Sequence, residues 1–456
     1  MNTIPQSTDV VVIGGGPAGS TAANMLAQKG YEVVLLDQAR HPRPVVGESI
    51  LPHFWKYAEQ LGVLEDIENE GFLLKAGGLT IWNGEIRQMK LSDFGFERPG
   101  MHVERDVFDN ILLRGAERKG VQVFEEVKVR EVHLDDAANR AVSYMDKNSG
   151  EAGQIACKYI VDASGQAAVI ANQLKFREFD PDLRFMCVWG YYENSDYIGY
   201  GGQIYPFEDR WHKDRRPVTF ASGLGDWGWC WHLVQKDLTS VGLVMGPKEA
   251  AKFKAGGGSL EERFARGVAR VPVTSKLLEA GALAPDSVRA IRDFAYRPTQ
   301  LCGDGWYLAG DASAFVDPIN SAGVAVSFYT GYLAAWSVAA SLEKPERAEY
   351  YRTLFDSLVR QRLSLYRISA LPEGVNSYAE EDYPLALQAA QFEKNSEQEL
   401  LLVQVYLTHR RENLRRLYEM DNRIKYDHTD RYDTLPHLIG PDGSPFHIDE
   451  PDGVMA

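Results

Sequence analysis

Short apolar runs bounded by glycine-containing turns open the chain and predict a strand, a helix and a second strand. Residues 10–13 (Val-Val-Val-Ile) are apolar on both faces, which is typical of a strand buried inside a parallel sheet. Residues 21–29 have the composition of a helix that ends at Gly30, and residues 33–36 form the second apolar run. This order predicts a βαβ unit, the building block of a parallel sheet.

Three glycines with the spacing G-x-G-x-x-G connect the first strand to the helix. The first glycine permits a tight turn, the second lets the backbone approach a pyrophosphate, and the third lets the helix pack closely on the strand. The helix N-terminus adds N–H donors and a favourable dipole. An aspartate at the tip of the second strand can accept hydrogen bonds from both ribose hydroxyls. The sequence therefore predicts a dinucleotide site at Gly14, Gly16, Gly19 and Asp37.

Two further strand patterns lead to the same edge of the predicted sheet. Residues 158–161 repeat the buried-strand pattern and are followed by Asp162. Residues 303–310 return to a buried strand, after which come Asp311 and a long apolar helix over residues 324–342. The carboxyl ends of parallel strands meet at one edge, where open α/β sheets bind ligands. The second of these segments is therefore a second candidate anion site.

The middle of the chain has a different composition. From about residue 180 to residue 287, tyrosine, tryptophan and glycine are frequent and no strand–helix alternation is found. We predict an antiparallel sheet inserted between parts of the nucleotide-binding domain. Residues 227–231 (Trp-Gly-Trp-Cys-Trp) place three indoles on one face of a strand, since side chains alternate along a strand. Packing of a sheet core explains this face as well as a binding role does.

The C-terminal part is charged and has helical composition over residues 343–430, including a basic run, residues 409–416, that we interpret as a solvated helix face. The tail from Gly440 is acidic and rich in proline and glycine, so we expect it to be loosely held. The sequence thus predicts three parts: a nucleotide-binding domain of residues 1–178 and 288–342, an antiparallel-sheet substrate domain of residues 179–287 with part of 76–100, and a helical C-terminal region of residues 343–456.

The overall composition narrows the classes of partner. The 456 residues carry a formal net charge of -15, which disfavours nucleic acid and anionic membranes. Four scattered cysteines without a C-x-x-C pair argue against a disulfide framework or a metal site and favour a reducing compartment. Because neither a signal peptide nor a transmembrane span is recognised, we expect a soluble cytoplasmic protein.

Two segments after the βαβ unit carry candidate chemistry. Residues 41–52 contain three prolines and a glycine, which exclude a regular helix or strand. We therefore predict a long loop held by specific contacts. Lys75 follows within residues 71–82, a segment that is otherwise mostly apolar. Taken alone, this pattern favours a lysine that snorkels from the edge of a strand.

Together these segments resemble the flavin-dependent halogenases, a branch of the FAD-dependent monooxygenase superfamily. The resemblance covers about residues 8–340. The motif GGGPAG with its aspartate, the arginine of VERDVFD and the Gly-Asp pair before the long helix are similar to the superfamily's FAD motifs. The resemblance implies a Rossmann-like FAD-binding domain of the FAD monooxygenase type, with FAD at Gly14, Gly16, Pro17, Ala18, Gly19, Asp37, Gly47, Ser49, Arg105, Gly310, Asp311 and Gly323.

Four segments resemble the halogenases more narrowly. Residues 46–52 (VGESILP) are similar to the loop that covers the flavin, and Phe72 with Lys75 and Gly77 is similar to the segment of the active-site lysine. Residues 315–323 fit the pattern F-x-x-P-x-x-S-x-G in full. Residues 229–234 are similar to the signature W-x-W-x-I-P, with Leu and Val in place of the last Ile and Pro.

The resemblance implies an oxidoreductase of secondary metabolism that receives FADH2 from a separate flavin reductase. With oxygen, the reduced FAD would oxidise chloride or bromide to hypohalous acid. The halide would bind to N–H groups at the start of the long helix, at Ser321, Ala322 and Gly323.

Lys75 is the catalytic residue that the resemblance implies. Hypohalous acid would pass to this lysine, which bonds it or forms a haloamine beside an electron-rich aromatic ring, such as a phenol or pyrrole that is free or bound to a carrier protein. The apolar neighbours of Lys75 would desolvate the amine and favour its neutral form. The resemblance further implies that the flavin is separated from the substrate by Trp229, Trp231, Phe315 and Pro318.

Two alternatives stay open. One is an FAD-dependent aromatic hydroxylase of the same superfamily, which the replacement of Ile-Pro by Leu233-Val234 permits. Against it, residues 162–168 lack the arginine of the D-G-x-x-S-x-x-R segment of single-component hydroxylases, and no second nucleotide fingerprint is found. The other is a flavoprotein that modifies a polypeptide partner, for which the aromatic sheet and the basic run would form a docking surface.

Overall fold

Two large sheets and a set of helices make up this computed structural model, which describes residues 3–94, 96–225, 228–371, 382 and 433–446. Trp227, the basic run and most of the predicted C-terminal helical region lie outside these residues. The helices are α1 (Pro17–Gln28), α2 (Phe54–Leu61), α3 (Leu64–Glu70), α4 (Arg105–Arg118), α5 (Val169–Gln173), α6 (Pro247–Ala255), α7 (Leu260–Val268), α8 (Pro272–Leu277), α9 (Gly323–Glu343) and α10 (Ala348–Ala370).

The strands are numbered along the chain in the same way. They are β1 (Ser7–Ile13), β2 (Val33–Leu36), β3 (Ser49–Ile50), β4 (Leu73–Lys75), β5 (Gly77–Trp82), β6 (Glu85–Lys90), β7 (Gly100–His102), β8 (Gln122–Phe124), β9 (Val127–His133), β10 (Ala141–Asp146), β11 (Ala152–Asp162), β12 (Arg177–Phe179), β13 (Met186–Glu193), β14 (Tyr197–Ile198), β15 (Ile204–Tyr205), β16 (Val218–Gly223), β17 (Gly228–Val234), β18 (Thr239–Met245), β19 (Ala282–Leu283), β20 (Arg289–Arg292), β21 (Tyr296–Pro298), β22 (Cys302–Gly303), β23 (Trp306–Leu308), β24 (Asp433–Leu435), β25 (Leu438–Ile439) and β26 (Pro445–Phe446).

The first sheet has the strand order β22-β23-β11-β1-β2-β8, and its strands from β23 to β8 are parallel. Val10 and Val12 of β1 pack on the side of α1, α9 and α10, whereas Val11 and Ile13 pack on the side of β9, β10 and α5. Both faces of the strand are therefore buried, which is why its sequence is continuously apolar. The predicted parallel sheet is confirmed.

Helix α1 begins earlier than the sequence pattern suggested. Its first residue is Pro17 rather than residue 21, and Gly16 is the extended N-cap residue. Proline is favoured at the first helical position because its fixed φ suits the helix and its missing N–H would have no partner there. The helix N-terminus consequently lies directly against the glycine turn.

The second sheet has the order β19-β13-β18-β17-β16-β5-β6-β24, with β20 also paired to β13. Only its β5–β16 pair is parallel among the pairings of the described strands. One face packs on α6 and α7, and the other carries Trp229 and Trp231. The predicted antiparallel inserted sheet is thus present, and it also recruits β5 and β6 from the N-terminal part and β24 from the C-terminal part.

A small antiparallel sheet has the strand order β3-β7-β4. Ser49 of β3 and Leu73 of β4 both pair with His102 of the central strand, and Lys75 pairs with Gly100. Directly paired residues, and residues two apart on one strand, share a face of a sheet. The small sheet therefore brings three chain segments together on one face.

Among the described helices, α9 alone is long and apolar enough to cross a membrane. In the protein, 61% of its most apolar 18-residue window is buried. It crosses α1 closely: a Cβ on Gly331 would lie 2.4 Å from the carbonyl oxygen of Ala18. The apolar composition of α9 is that of a helix packed inside a domain.

We predict that Gly331→Ala lowers the melting temperature by several degrees. Alanine is the better helix former by about 1 kcal/mol, so a loss must come from the forced separation of α1 and α9, for which overpacking costs about 1–3 kcal/mol. The control is Gly257→Ala, where an added Cβ would meet no atom within 4 Å. Equal melting temperatures of the two variants would contradict a tight crossing.

Candidate active site

A long cleft runs along the carboxyl edge of the parallel sheet. Its volume is about 980 Å³. The glycine turn, the end of β2, β9, the β11–α5 connection and the start of the β23–α9 connection form its walls. It thus joins the two anion sites predicted from distant parts of the sequence, and on its wall lie Gly14, Gly16, Pro17, Ala18, Asp37, Arg105, Gly310 and Asp311.

The glycine turn is held by backbone contacts and by one carboxylate. Gly14 has a φ of +101°, and a Cβ on Gly19 would lie 1.9 Å from the Gly14 carbonyl oxygen, so Gly19 serves packing and lies behind the wall. Asp37 accepts the N–H of Gly15 at 2.6 Å and that of Ala39 at 2.7 Å. Its carboxylate therefore fixes the turn at the same time as it faces the cleft.

Arg105 holds the loop of residues 45–50, which borders the cleft at Val45. Its guanidinium donates to both carboxylate oxygens of Asp109, at 2.8 and 3.0 Å, and to the carbonyls of Val46 and Gly47, at 3.0 and 3.2 Å. Gly47 has a φ of +111°, and a Cβ there would lie 2.7 Å from the guanidinium. The absence of a side chain at Gly47 therefore leaves the space that the Arg105 guanidinium occupies.

Glu48 forms a second set of hydrogen bonds that hold the same loop. One of its carboxylate oxygens accepts the N–H of Gly47 and the other accepts the hydroxyl of Tyr191, each at 2.8 Å. The side chain is buried, and burial raises its pKa in spite of the hydrogen bond from Tyr191. The loop is thus tied both to α4 and to β13 of the second sheet.

An apolar cavity of about 260 Å³ opens beneath this loop. Arg105 and Asp311 line both the cavity and the cleft, so the two spaces adjoin. Burial raises the pKa of Asp311 to about 6, against the opposing effect of Arg105. Four residues predicted to separate flavin from substrate lie on the cavity wall: Trp229, Trp231, Phe315 and Pro318.

The turn before α9 forms another part of this wall. Ser321 is in the left-handed region, with a φ of +51°, and its N–H donates to the Pro318 carbonyl at 3.0 Å. Of the three residues predicted to bind halide, Ser321 therefore has its backbone donor engaged. Helix α9 follows at Gly323 with Ala322 as its N-cap residue, and the first N–H groups of a helix have no partner within it.

Lys75 is buried, with 2% of its surface exposed, rather than snorkelling to solvent. Its Nζ donates to Ser49 Oγ at 2.7 Å and to Thr219 Oγ1 at 3.0 Å. Both partners are hydroxyl groups rather than carboxylates, and burial lowers the pKa of the amine to about 7. A Cβ on Gly100 would lie 2.4 Å from Lys75 Cε, so this glycine provides the space for the lysine stem.

Lys75 stands between two cavities. Its partners Ser49 and Thr219 line the apolar cavity, whereas Lys75 itself lines a more polar cavity of about 360 Å³. Phe96 and Tyr200 also line this polar cavity. The amine is thus the boundary between the space next to the cleft and a separate chamber.

The comparisons with known proteins agree with this architecture. A family model described as "FAD binding domain" matches residues 7–188. A tryptophan 2-halogenase of Chondromyces crocatus is 34% identical over 380 residues, which are 81% of this chain and 70% of that protein. A flavin-dependent halogenase of Armillaria mellea is 34% identical over 356 residues, which are 74% of this chain and 68% of that protein. The chain belongs to the flavin-dependent halogenases.

Solved structures support the fold. The myxobacterial chondrochloren halogenase superposes with a TM-score of 0.72, at 24% identity, over 89% of this chain and 98% of that one. A flavin-dependent brominase superposes with a TM-score of 0.69, at 22% identity, over 90% of this chain and all of that one.

This halogenase is therefore an FAD-dependent oxidoreductase, and its cleft suits the cofactor. The N-terminus of α1 faces the cleft, where its N–H groups and dipole favour a diphosphate. A Cβ on Gly16 would meet only the Arg43 guanidinium, at 3.4 Å, so the backbone of this turn is open to a ligand.

The sequence did not predict a role for Thr219 or His102, which lie next to Lys75. Thr219 and His102 share a hydrogen bond of 3.0 Å, and His102 is fully buried. His102 precedes the VERD segment, but nothing in the local pattern connects it to a threonine 117 positions away. Ser49, predicted to bind the cofactor, lines the apolar cavity and bonds the Lys75 amine.

We predict that Arg105→Gln weakens FAD binding by roughly 10- to 100-fold, because hydrogen bonds of a buried charged group contribute about 1.5–3 kcal/mol. The loop that borders the cleft would lose its link to α4. Titration of the apoprotein with FAD by calorimetry measures the effect. Arg118→Gln, at the exposed end of the same helix, should bind FAD like the unaltered protein. Unchanged affinity of Arg105→Gln would show that the loop does not depend on this residue.

Proposed function

We propose that this halogenase uses reduced FAD, oxygen and a halide to halogenate an electron-rich aromatic compound, such as a phenol or a pyrrole. The observation that carries the proposal is the buried amine of Lys75, held by hydroxyls between the apolar and polar cavities. FAD supplies, when reduced, the two electrons that convert oxygen and halide to hypohalous acid and water. The second half-reaction is ArH + HOX → ArX + H2O, which requires no further oxidant.

The halide is proposed to bind where the cavity meets the start of α9. Gly323 lines the cavity and has its backbone N–H at the first position of α9, Ala322 precedes it as the N-cap residue, and the helix dipole favours an anion. The side chain of Ser321 lies at the same turn, whose backbone is fixed by the Ser321 N–H. Chloride and bromide are both compatible with such a backbone site.

The two tryptophans are proposed to keep the aromatic substrate away from the flavin. Trp229 and Trp231 are 6% exposed each, and their ring centroids are 5.7 Å apart. The Trp231 indole is held by a hydrogen bond to Ser240 at 3.1 Å. In this proposal the wall excludes an aromatic ring from the flavin, while the much smaller hypohalous acid passes it.

Lys75 is proposed to receive hypohalous acid from the apolar cavity and to present the halogen to a ring in the polar cavity. The amine can bond the acid or form a haloamine, R–NH2 + HOX → R–NHX + H2O, and then transfer halogen to the ring with recovery of R–NH2. Both routes give the same net reaction. Phe96 and Tyr200 supply the aromatic lining of the chamber.

Product analysis tests the function. The protein, FAD, a separate reductase with NADH, oxygen and bromide or chloride are incubated with phenols and pyrroles, both free and attached to a carrier protein, and the products are identified by mass spectrometry. Halogenated products support the proposal, and hydroxylated products alone would replace it with the hydroxylase. We propose the separate reductase because a second nucleotide fingerprint is not found in the sequence; bleaching of bound FAD by NADPH without reductase would contradict it.

We predict that Lys75→Ala lowers halogenation by about 10²–10⁴-fold, the usual contribution of a positioned proton-transfer or nucleophilic group. Lys75→Arg should fail equally, because a guanidinium stays protonated. FAD binding and reoxidation should be unaffected, since the cleft is built from other residues. Lys276→Ala removes a surface amine that pairs with Glu279 away from both cavities, and it should retain turnover within a few-fold. A Lys75→Ala protein with most of its halogenating activity would refute the proposed role.

We also predict that product formation rises with pH through about 7. Burial lowers the pKa of Lys75 to about 7, so the reactive neutral amine is lost below this value and fully present above it. The rate should increase between about pH 5.5 and 7 and level off by about pH 8. Since Asp311 has a pKa of about 6, FAD reoxidation is followed in parallel and used to normalise the rate. A normalised rate that falls across the pKa of Lys75 would contradict the neutral-amine mechanism.

A further inference from the structure

The hydrogen bonds behind Lys75 have a defined direction that begins at a backbone carbonyl. His102 Nδ1 lies 2.8 Å from the carbonyl oxygen of Val234, which can only accept. Nδ1 therefore carries the ring proton, and Nε2, 3.0 Å from Thr219 Oγ1, is the acceptor of a neutral imidazole. Burial, together with the nearby Lys75, lowers the pKa of His102 to about 3, so the ring remains neutral.

The other protons of the cluster follow in order. The single O–H of Thr219 donates to His102, so its oxygen accepts from Ser49 Oγ at 3.2 Å and from Lys75 Nζ at 3.0 Å. Ser49, having donated its proton to Thr219, accepts the other bond from Lys75 at 2.7 Å. Two N–H groups of the amine are thereby used.

A neutral amine has two N–H groups and one lone pair. Because both hydroxyl protons of the cluster point away from Nζ, the lone pair is not consumed by either of them. An ammonium group would instead bring a third N–H into a site where these hydrogen bonds offer it no acceptor. The arrangement therefore matches the neutral form of Lys75.

We propose that Thr219 and His102 are positioning residues that hold the Lys75 amine with its lone pair available to hypohalous acid. The inference rests on the proposed function of Lys75. In the reaction, the lone pair forms the N–X bond, the O–X bond breaks, and the departing hydroxide takes one amine proton to give water. His102 acts through Thr219: without an acceptor at Nε2, the threonine hydroxyl is free to rotate and donate to the amine, which would block the lone pair.

The test compares four variants for products per FADH2, kcat and KM. Thr219→Val removes the hydroxyl at nearly constant volume, and Thr219→Ser keeps it. His102→Asn retains a donor for the Val234 carbonyl but loses the acceptor for Thr219. His133→Asn is the control, a histidine that bonds Ser143 away from the site.

We expect Thr219→Val and His102→Asn to lower kcat for halogenation roughly tenfold or more, with KM and FAD reoxidation little changed. Uncoupled hypohalous acid should increase in both, measured with an added cyclic β-diketone that traps it. Thr219→Ser should restore most of the activity, and His133→Asn should behave like the unaltered enzyme. If Thr219→Val does not fold, His102→Asn decides, because it leaves Thr219 in place.

Unaltered kcat and coupling in Thr219→Val or in a folded His102→Asn would overturn the inference, as would a Thr219→Ser protein as impaired as Thr219→Val, which would indicate packing alone. Lys75→Ala is measured in the same series. If it abolishes halogenation while Thr219→Val leaves kcat and coupling unaltered, the inference fails and the proposed function stands. If Lys75→Ala keeps most of its halogenating activity, the proposed role of Lys75 fails, and the inference fails with it.

Discussion

Close packing of distant chain segments around the start of α1 is the constraint on which the cofactor domain depends. A Cβ at Gly14 would lie 2.4 Å from the Ala163 carbonyl, one at Gly310 would lie 2.8 Å from Ala18, and one at Gly331 would lie 2.4 Å from the carbonyl of that same residue. These contacts join chain segments that are some 150 to 310 positions apart. Three distant segments therefore pack tightly around the glycine turn and the start of α1, and glycine at positions 14, 310 and 331 permits this close approach.

Arg105 and Lys75 are both buried, and their hydrogen-bond partners determine how well each side chain keeps its charge. Arg105 has a bidentate carboxylate and two loop carbonyls, so it remains charged in an apolar setting and can fasten the loop. Lys75 is equally buried but is held by two hydroxyls, which stabilise an amine without compensating a charge. Burial thus leaves a permanent cation beside the cofactor cleft, whereas it lowers the pKa of the amine at the chamber boundary to about 7. This division is consistent with the proposed mechanism, in which the protein binds a diphosphate in one place and uses a lone pair in another.

Local patterns predicted much of this structure, and non-local register determined the rest. The strand over residues 33–36 and the glycine turn follow from periodicity and spacing, because each depends on neighbours in the sequence. The burial of Lys75 does not: the local pattern favoured a snorkelling side chain, and only the resemblance to the halogenases suggested otherwise. Its actual environment depends on pairing across the small sheet and on Thr219, which lies 144 positions away. His102 and Thr219 could not be identified from sequence for the same reason, since a hydrogen bond between distant strands leaves no periodic signal.

The departure from the halogenase signature at residues 233–234 can be judged from the backbone. Val234 ends β17, pairs with Thr239 and packs against Leu73, so its side chain closes a small apolar cluster. Val234 contributes to the Lys75 site through its carbonyl oxygen, which orients His102. Proline and valine both carry that carbonyl, whereas only valine also has an N–H for strand pairing. The substitution therefore changes how the strand ends while it keeps the atom that sets the direction of the hydrogen bonds leading to the amine.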